Sequence, residues 1–145
     1  MQNFDLVILG GGPGGYPLAV RMARKGWQVA IVDSSSEFGG TCLNWGCIPT
    51  KALLASSRSY HLLKNAAEFG LSCTGAGFDW QKVQERKSRI TQQLRQGIIK
   101  LLEKSGVKIF NGRGQLCRNK VIRITSAEDG SVSEIQAKKV CLAVG

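Results

Sequence analysis

The chain has 145 residues, 43% hydrophobic and 21% charged, with a formal net charge of +10. That length fits one domain, and the composition is ordinary for a globular protein with its own core. The N-terminus "MQNFDLVILGGG" has no basic leader or cleavage site, and its apolar run is far too short to span a bilayer, which argues against a secreted or membrane-inserted chain.

The charge comes from 20 Lys and Arg against 10 Asp and Glu. Such a balance raises nucleic acid, anionic membranes and phosphorylated ligands as partners. The basic residues are scattered, however, and read as a solvated surface. The five cysteines then suggest a cytoplasmic protein with reduced thiols, in which a close pair is catalytic or metal-binding more readily than structural.

In chain order, Leu6 to Leu9 form a continuous apolar run, as expected of a parallel strand buried on both faces. Gly10, Gly12 and Gly15 follow as G-x-G-x-x-G, and Leu18, Ala19, Met22 and Ala23 recur at helical spacing with Gly26 as the end cap. Pro17 lies early in that helix, where N–H groups lack intrahelical acceptors. Val29 to Val32 predict a second buried strand closed by Asp33. Strand, glycine turn, helix, strand and acid in this order make a dinucleotide fingerprint. Gly10 permits the tight turn, Gly12 lets the backbone approach a pyrophosphate, and Gly15 lets helix and strand pack closely. The free N–H groups of the helix start face the phosphates. Asp33 accepts hydrogen bonds from ribose hydroxyls and disfavours a 2′-phosphate. The fingerprint alone does not separate NAD from FAD.

The next stretch is "GGTCLNWGCIPTKALL", residues 39 to 54. A structural zinc site needs four ligands, and the chain offers one histidine, His61, and no second cysteine pair near it. A staple across so short a loop removes little entropy from the unfolded chain. Two independent buried thiols stay open as a reading. A redox pair fits better: Gly46 relaxes the backbone beside Cys47, and Pro49 suits the first turn of a helix read over 51–68. Cys47 then sits just ahead of a helix N-terminus, which favours a thiolate, while Cys42 lies on the looser side of the loop and meets substrate. Lys51 adds positive charge one turn later, or is simply a solvated lysine.

After the loop "GLSCTGAGF", a second helix is predicted over 79–104, with Val83, Ile90, Leu94, Ile98 and Leu101 near one face. Its basic residues Lys82, Arg86, Lys87, Arg89, Arg95, Lys100 and Lys104 read as a solvated face. An RNA-binding reading lacks interleaved aromatics beyond Trp80. "GVKIFNGRGQL" predicts a strand with Gly112 and Gly114 at its end. The remainder alternates like an antiparallel meander turning at Asp129–Gly130, and Val140 to Val144 read as a last buried strand.

"ILGGGPGGYPLAVRMARKG" together with "GGTCLNWGCIPTKALL" resembles the amino-terminal FAD region of the pyridine nucleotide–disulfide oxidoreductases. The resemblance covers essentially the whole chain. The wording "CLN-x-GCIP-x-KALL" leans toward the branch that oxidises dihydrolipoamide, with glutathione and mercuric reductases as cousins. It implies an α/β, Rossmann-like FAD-binding domain with a parallel sheet, helices and an antiparallel β-meander. Residues 1–145 would be the amino-terminal part of that domain. The NAD domain, the rest of the FAD domain and the dimerisation domain with its His–Glu acid–base pair would lie elsewhere, so a fragment without complete turnover is expected.

The resemblance further implies FAD on the turn of Gly10, Gly12, Pro13, Gly14 and Gly15. The segment from Asp33 (Glu in many members) and Ser34 through Gly39, Gly40 and Thr41 to Cys42 would line the cofactor, with Lys51 by the flavin. Cys47 would make the charge-transfer contact with the flavin, and Cys42 would exchange with the substrate dithiol. Gly114 would contact the adenine side through its main chain. Ala143 and Gly145 would contribute backbone only, because Val144 replaces the usual Thr. NAD would accept the hydride outside these residues, and no metal is implied. Partners would be a small-molecule or lipoyl-domain dithiol, a second copy when full length, and a 2-oxo acid dehydrogenase complex, without nucleic acid or membrane. A stand-alone flavin-binding redox module is the rival. Trp45, where many members have Val or Arg, would shape access to the disulfide or merely pack.

Overall fold

The computed structural model describes residues 1–145. The elements are β1 (Gln2–Leu9), α1 (Tyr16–Ala23), β2 (Val29–Asp33), α2 (Gly40–Asn44), α3 (Cys47–Lys64), α4 (Trp80–Lys104), β3 (Lys108–Leu116), β4 (Val121–Ser126) and β5 (Val132–Leu142). Single 3-10 turns follow α3 at Ala66–Phe69 and precede β4 at Arg118–Lys120.

β1 lies between β2 and β5 and pairs parallel with both, Leu6 facing Val29 on one side and Lys139 on the other. β2 pairs parallel with the first half of β3. From Gly112 onward β3 leaves β2 and pairs antiparallel with β4, which pairs antiparallel with the start of β5. The parallel sheet and the meander are therefore both present, but β3 and β5 belong to each, and the five strands close into a ring. No helix is long and apolar enough to cross a membrane.

The apolar runs of β1 and β2 have two faces because successive side chains point to opposite sides. Leu6, Ile8, Val29 and Ile31 face the helices, where Ala19, Val20, Phe38 and Leu102 cover them. Val7, Leu9, Ala30 and Val32 face into the ring against Ile122, Ile124 and Ile135. This is why the strands carry no polar alternation.

Local chemistry sets the helix ends. Pro17 occupies the first turn of α1 at no loss of an intrahelical bond. Gly26 (φ +84°) donates to the Ala23 carbonyl and Trp27 to Met22, a Schellman cap. The Asp79 carboxylate accepts from the Lys82 N–H at 3.1 Å and starts α4.

Five expectations change. α3 begins at Cys47 and ends at Lys64, since the Asn65 N–H closes on His61 and the chain tightens into the 3-10 turn instead of continuing to 68. α4 buries Thr91 and Leu102, whereas Leu94 is 44% exposed. Two of its basic residues are not solvated bystanders, because Arg86 donates to the Ala52 carbonyl and Arg95 pairs with Glu37. Gly112 and Gly114 lie inside β3, where the strand changes partners. An added Cβ at Gly112 would stand 2.4 Å from the Thr125 carbonyl, so glycine serves strand crossing there, not a strand-end turn. Finally, Val140–Val144 is no separate buried strand: β5 is one strand ending at Leu142, with Leu142 and Val144 exposed.

The turn at Asp129–Gly130 joins β4 to β5. The Ser126 hydroxyl, then the Ser131 hydroxyl and N–H, hold the Asp129 carboxyl down at about 2. A carboxyl lowered in the folded state stabilises fully above its unfolded value near 3.8 and loses that stabilisation as pH falls through about 2. An NMR titration should find the Asp129 carboxyl still ionised at pH 3, and Ser126→Ala should raise its midpoint. Replacing Asp79 by Ala should destabilise the chain by about 1 kcal/mol in urea unfolding, through loss of the α4 cap.

Candidate functional site

The turn after β1 is built by close backbone contacts. Gly10 has φ +108°, and a Cβ there would stand 2.1 Å from the Ala143 carbonyl oxygen. A Cβ at Gly15 would stand 1.9 Å from the Gly10 carbonyl oxygen, so α1 rests directly on the strand end. Gly12 differs: a Cβ there would meet nothing nearer than the Gly40 Cα at 3.7 Å. The fold does not need glycine at 12, but a group seated on the turn would. The Gly15 and Tyr16 N–H groups both donate to the Gly12 carbonyl, while those of Gly12 and Gly14 have no acceptor within the protein. The free donors thus sit in the turn itself, one step before the helix. Pro13 and Gly14 are exposed beside them.

Asp33 ends β2 at this turn. One carboxylate oxygen accepts from the Gly11 N–H and the other from the Ser35 N–H at 2.8 Å. Each oxygen keeps lone-pair capacity for a further donor. Gly11 is the residue that sequence reasoning passed over, because it fills an x position of the fingerprint. Its Cβ would strike the buried Phe38 ring at 2.4 Å. Asp33, Gly10, Ser34 and Gly114 share one cleft of about 240 Å3. Val144, expected to offer no side-chain contact, lines it too, as does Arg113, which was not singled out. Ala143 donates its N–H to the Leu9 carbonyl at 2.7 Å, which removes that donor from any ligand. Gly145 is exposed, with nothing near its Cα.

The second half of the site starts at Gly39, whose N–H donates to the Gly11 carbonyl at 2.9 Å. Gly40 (φ +63°) then opens α2 against the turn, with Thr41 exposed on its first turn. Cys42 therefore sits in a short helix instead of a loose loop. The Cys42–Cys47 disulfide is formed, its Cα atoms 4.7 Å apart, within the ordinary range for such bridges. Gly46 makes the turn between the two helices possible, since a Cβ there would crowd the Thr41 carbonyl at 3.1 Å. Cys47 is the first residue of α3 and is exposed. Lys51, exposed and unpaired, lies four residues on and shares its helix face.

Cys42 is partly covered. It lines an apolar slot of about 230 Å3 with Pro13, Tyr16, Leu43, Leu94 and Ile98. Tyr16 and the α4 pair Leu94–Ile98 join the site only through folding, and no local motif announces them. Trp45 is 68% exposed beside the disulfide. Cys73, Cys117 and Cys141 are free.

Residues 4–145 match the family model described as "Pyridine nucleotide-disulphide oxidoreductase". Among curated proteins, the chain is 41% identical over 144 residues to a dihydrolipoyl dehydrogenase of Zymomonas mobilis and 39% identical over 143 residues to one of Chlorobaculum parvum. Each match covers 99% of this chain and 30% of the relative, so the chain spans less than a third of their length. Among solved structures, the Cu(II) complex of an HOCl-induced flavoprotein disulfide reductase from Escherichia coli superposes with a TM-score of 0.81 at 26% identity, over 100% of this chain and 29% of that one.

The glycine geometry makes a differential prediction. Gly15→Ala should destabilise by about 3 kcal/mol or leave the chain insoluble, because backbone must move. Gly12→Ala should leave the thermal midpoint within a few degrees of the parent.

Proposed function

The chain belongs to the pyridine nucleotide–disulphide oxidoreductase family, whose members use FAD and NAD(P), and we propose that it is the FAD-binding, disulfide-bearing part of a dihydrolipoamide dehydrogenase. The observation that carries this is the physical union of the two motifs: the glycine turn and the helix bearing Cys42 are hydrogen-bonded through Gly39 and Gly11. A dinucleotide held on one would lie beside the disulfide on the other.

The residues fit the cofactor. The free N–H groups of Gly12 and Gly14 and the open face over Gly12 would take the pyrophosphate. Asp33, fixed by two backbone donors, would accept ribose hydroxyls, with Ser34, Gly114 and Val144 enclosing the adenosine side. Gly40, Thr41 and Lys51 would lie along the chain toward the flavin. Bound FAD would supply a two-electron acceptor between the dithiol and NAD.

The chain's own chemistry is thiol–disulfide exchange. One substrate thiolate enters the apolar slot and attacks the Cys42 sulfur, and Cys47 leaves as a thiolate. The positive end of the 18-residue α3 stabilises that thiolate, and Lys51 adds a charge on the same face. The second substrate thiolate then attacks its own sulfur in the mixed disulfide and releases Cys42. The substrate loses two electrons and two protons, and the protein gains a dithiol. The apolar lining of the slot suits a hydrocarbon-linked dithiol better than a charged tripeptide thiol. Residues 1–145 would form the amino-terminal part of the FAD domain within a longer, dimeric enzyme serving a 2-oxo acid dehydrogenase complex.

Titration of the chain with FAD, followed by flavin fluorescence, should show saturable binding that Gly12→Ala weakens at least tenfold with the fold intact. Two-electron reduction of the loaded protein should bring up long-wavelength absorption, and Cys47→Ser should abolish it. Absence of FAD binding by the full-length protein would sink the reading. Reduction of glutathione disulfide or Hg(II) in preference to lipoamide would reassign it to a sister enzyme.

A further inference from the structure

α2 has five residues, too few to hold a helix by itself. Its one buried side chain is Leu43. Yet its position decides whether the Cys42 and Cys47 sulfurs meet. Beside the Gly39–Gly11 bond at its start, a polar tether runs from its end through Glu37. The Asn44 side-chain amide donates to the Glu37 carbonyl at 2.8 Å and to the Gly40 carbonyl at 3.1 Å, folding α2 back on the segment that leads into it. The Glu37 carboxylate in turn receives the Arg95 guanidinium from the middle of α4, 58 residues away in sequence. α4 is a 25-residue helix packed on α1, α2 and α3, so it is the rigid body in this chain of contacts.

We propose that Arg95 is a positioning residue for the Cys42–Cys47 pair, acting through Glu37 and Asn44 to hold α2 where the two sulfurs are within bonding reach. The Arg95 side chain is 23% exposed and Glu37 45%, so Arg95 is the more enclosed partner of a pair that stays open to solvent on the Glu37 side. Asn44 can face only one way, because both of its partners are acceptors, and its buried Oδ1 has no partner. An amide held at that cost has a positional task. Without the Arg95–Glu37 pair, α2 would keep its apolar contact with α4 and the Gly39–Gly11 bond but lose its one polar tether to α4, and the dithiol would sample separated geometries more often. The effective concentration of one thiol at the other would fall, and the disulfide would be easier to reduce.

The inference rests on the reading of Cys42–Cys47 as an exchanging pair, and a glutathione redox titration of the chain separates the two. Two glutathione molecules reduce the bridge to a dithiol and become one oxidised glutathione. Arg95→Met and Glu37→Gln should each shift this equilibrium toward the dithiol by about tenfold, or about 30 mV. The double variant should shift no further than either single one. Arg95→Lys should recover part of the effect, and Arg89→Met, an exposed unpaired position on the same helix, should have none. Thermal midpoints monitor the fold, and the near-isosteric Glu37→Gln serves if Arg95→Met fails to fold. The sign is decisive. A purely electrostatic action on the thiolates would make the two substitutions shift the equilibrium in opposite directions, because one removes a positive charge and the other a negative one. Opposite shifts, or shifts under twofold, overturn the proposal. A parent bridge that does not exchange with glutathione overturns the redox reading, and the positioning role falls with it.

Discussion

Everything near the site hangs on backbone packed against backbone at the end of β1. The Ala143 carbonyl lies over Gly10, the Gly10 carbonyl over Gly15, and Gly40 against Gly12. No side chain intervenes, so β1, α1, α2 and the chain end after β5 meet at distances that only glycine allows. The Gly39–Gly11 hydrogen bond locks the last of these contacts. A ligand on the turn and a bridge on α2 therefore occupy one rigid frame. Without that packing, the two motifs would be neighbours in sequence only.

The ring of strands has a second consequence. β3 and β5 each begin in one sheet and continue in the other, and the cleft at Asp33 opens where β3 changes partners. Gly112 and Gly114 let the strand cross without striking Thr125, Leu9 or Val32. The same residues that close the barrel thus shape the cleft beside Asp33. Ile122, Ile124 and Ile135, buried against β1 and β2, fill the inside of the ring at close-packed density.

Much of this was legible in the residues. The strand–turn–helix order, the roles of Gly10 and Gly15, the hairpin at Asp129–Gly130 and the start of α4 all follow from short-range chemistry. What escaped depends on contacts distant in sequence. Leu102 is buried because α4 meets α1 and the sheet, which periodicity over one helix does not reveal. Arg95 looked solvated because its partner Glu37 lies 58 residues away. β5 looked like two strands because its two halves answer different neighbours, β4 and β1. Gly11 was hidden by the motif notation itself, although its N–H is what orients Asp33.

The short span of the bridge, a poor staple on entropic grounds, becomes sensible in this frame. A loop of five residues contributes little to folding stability, so opening it releases little. The fold is carried elsewhere, by the fully buried Val7, Ile8, Ile31, Leu102 and Ile122 in two layers on either side of β1 and β2. A pair that must cycle between disulfide and dithiol has to be separable from the core in this way. It must also stay close enough to re-form, and for that the helix-to-helix turn at Gly46 and the tethers on α2 provide the constraint that the bridge itself does not.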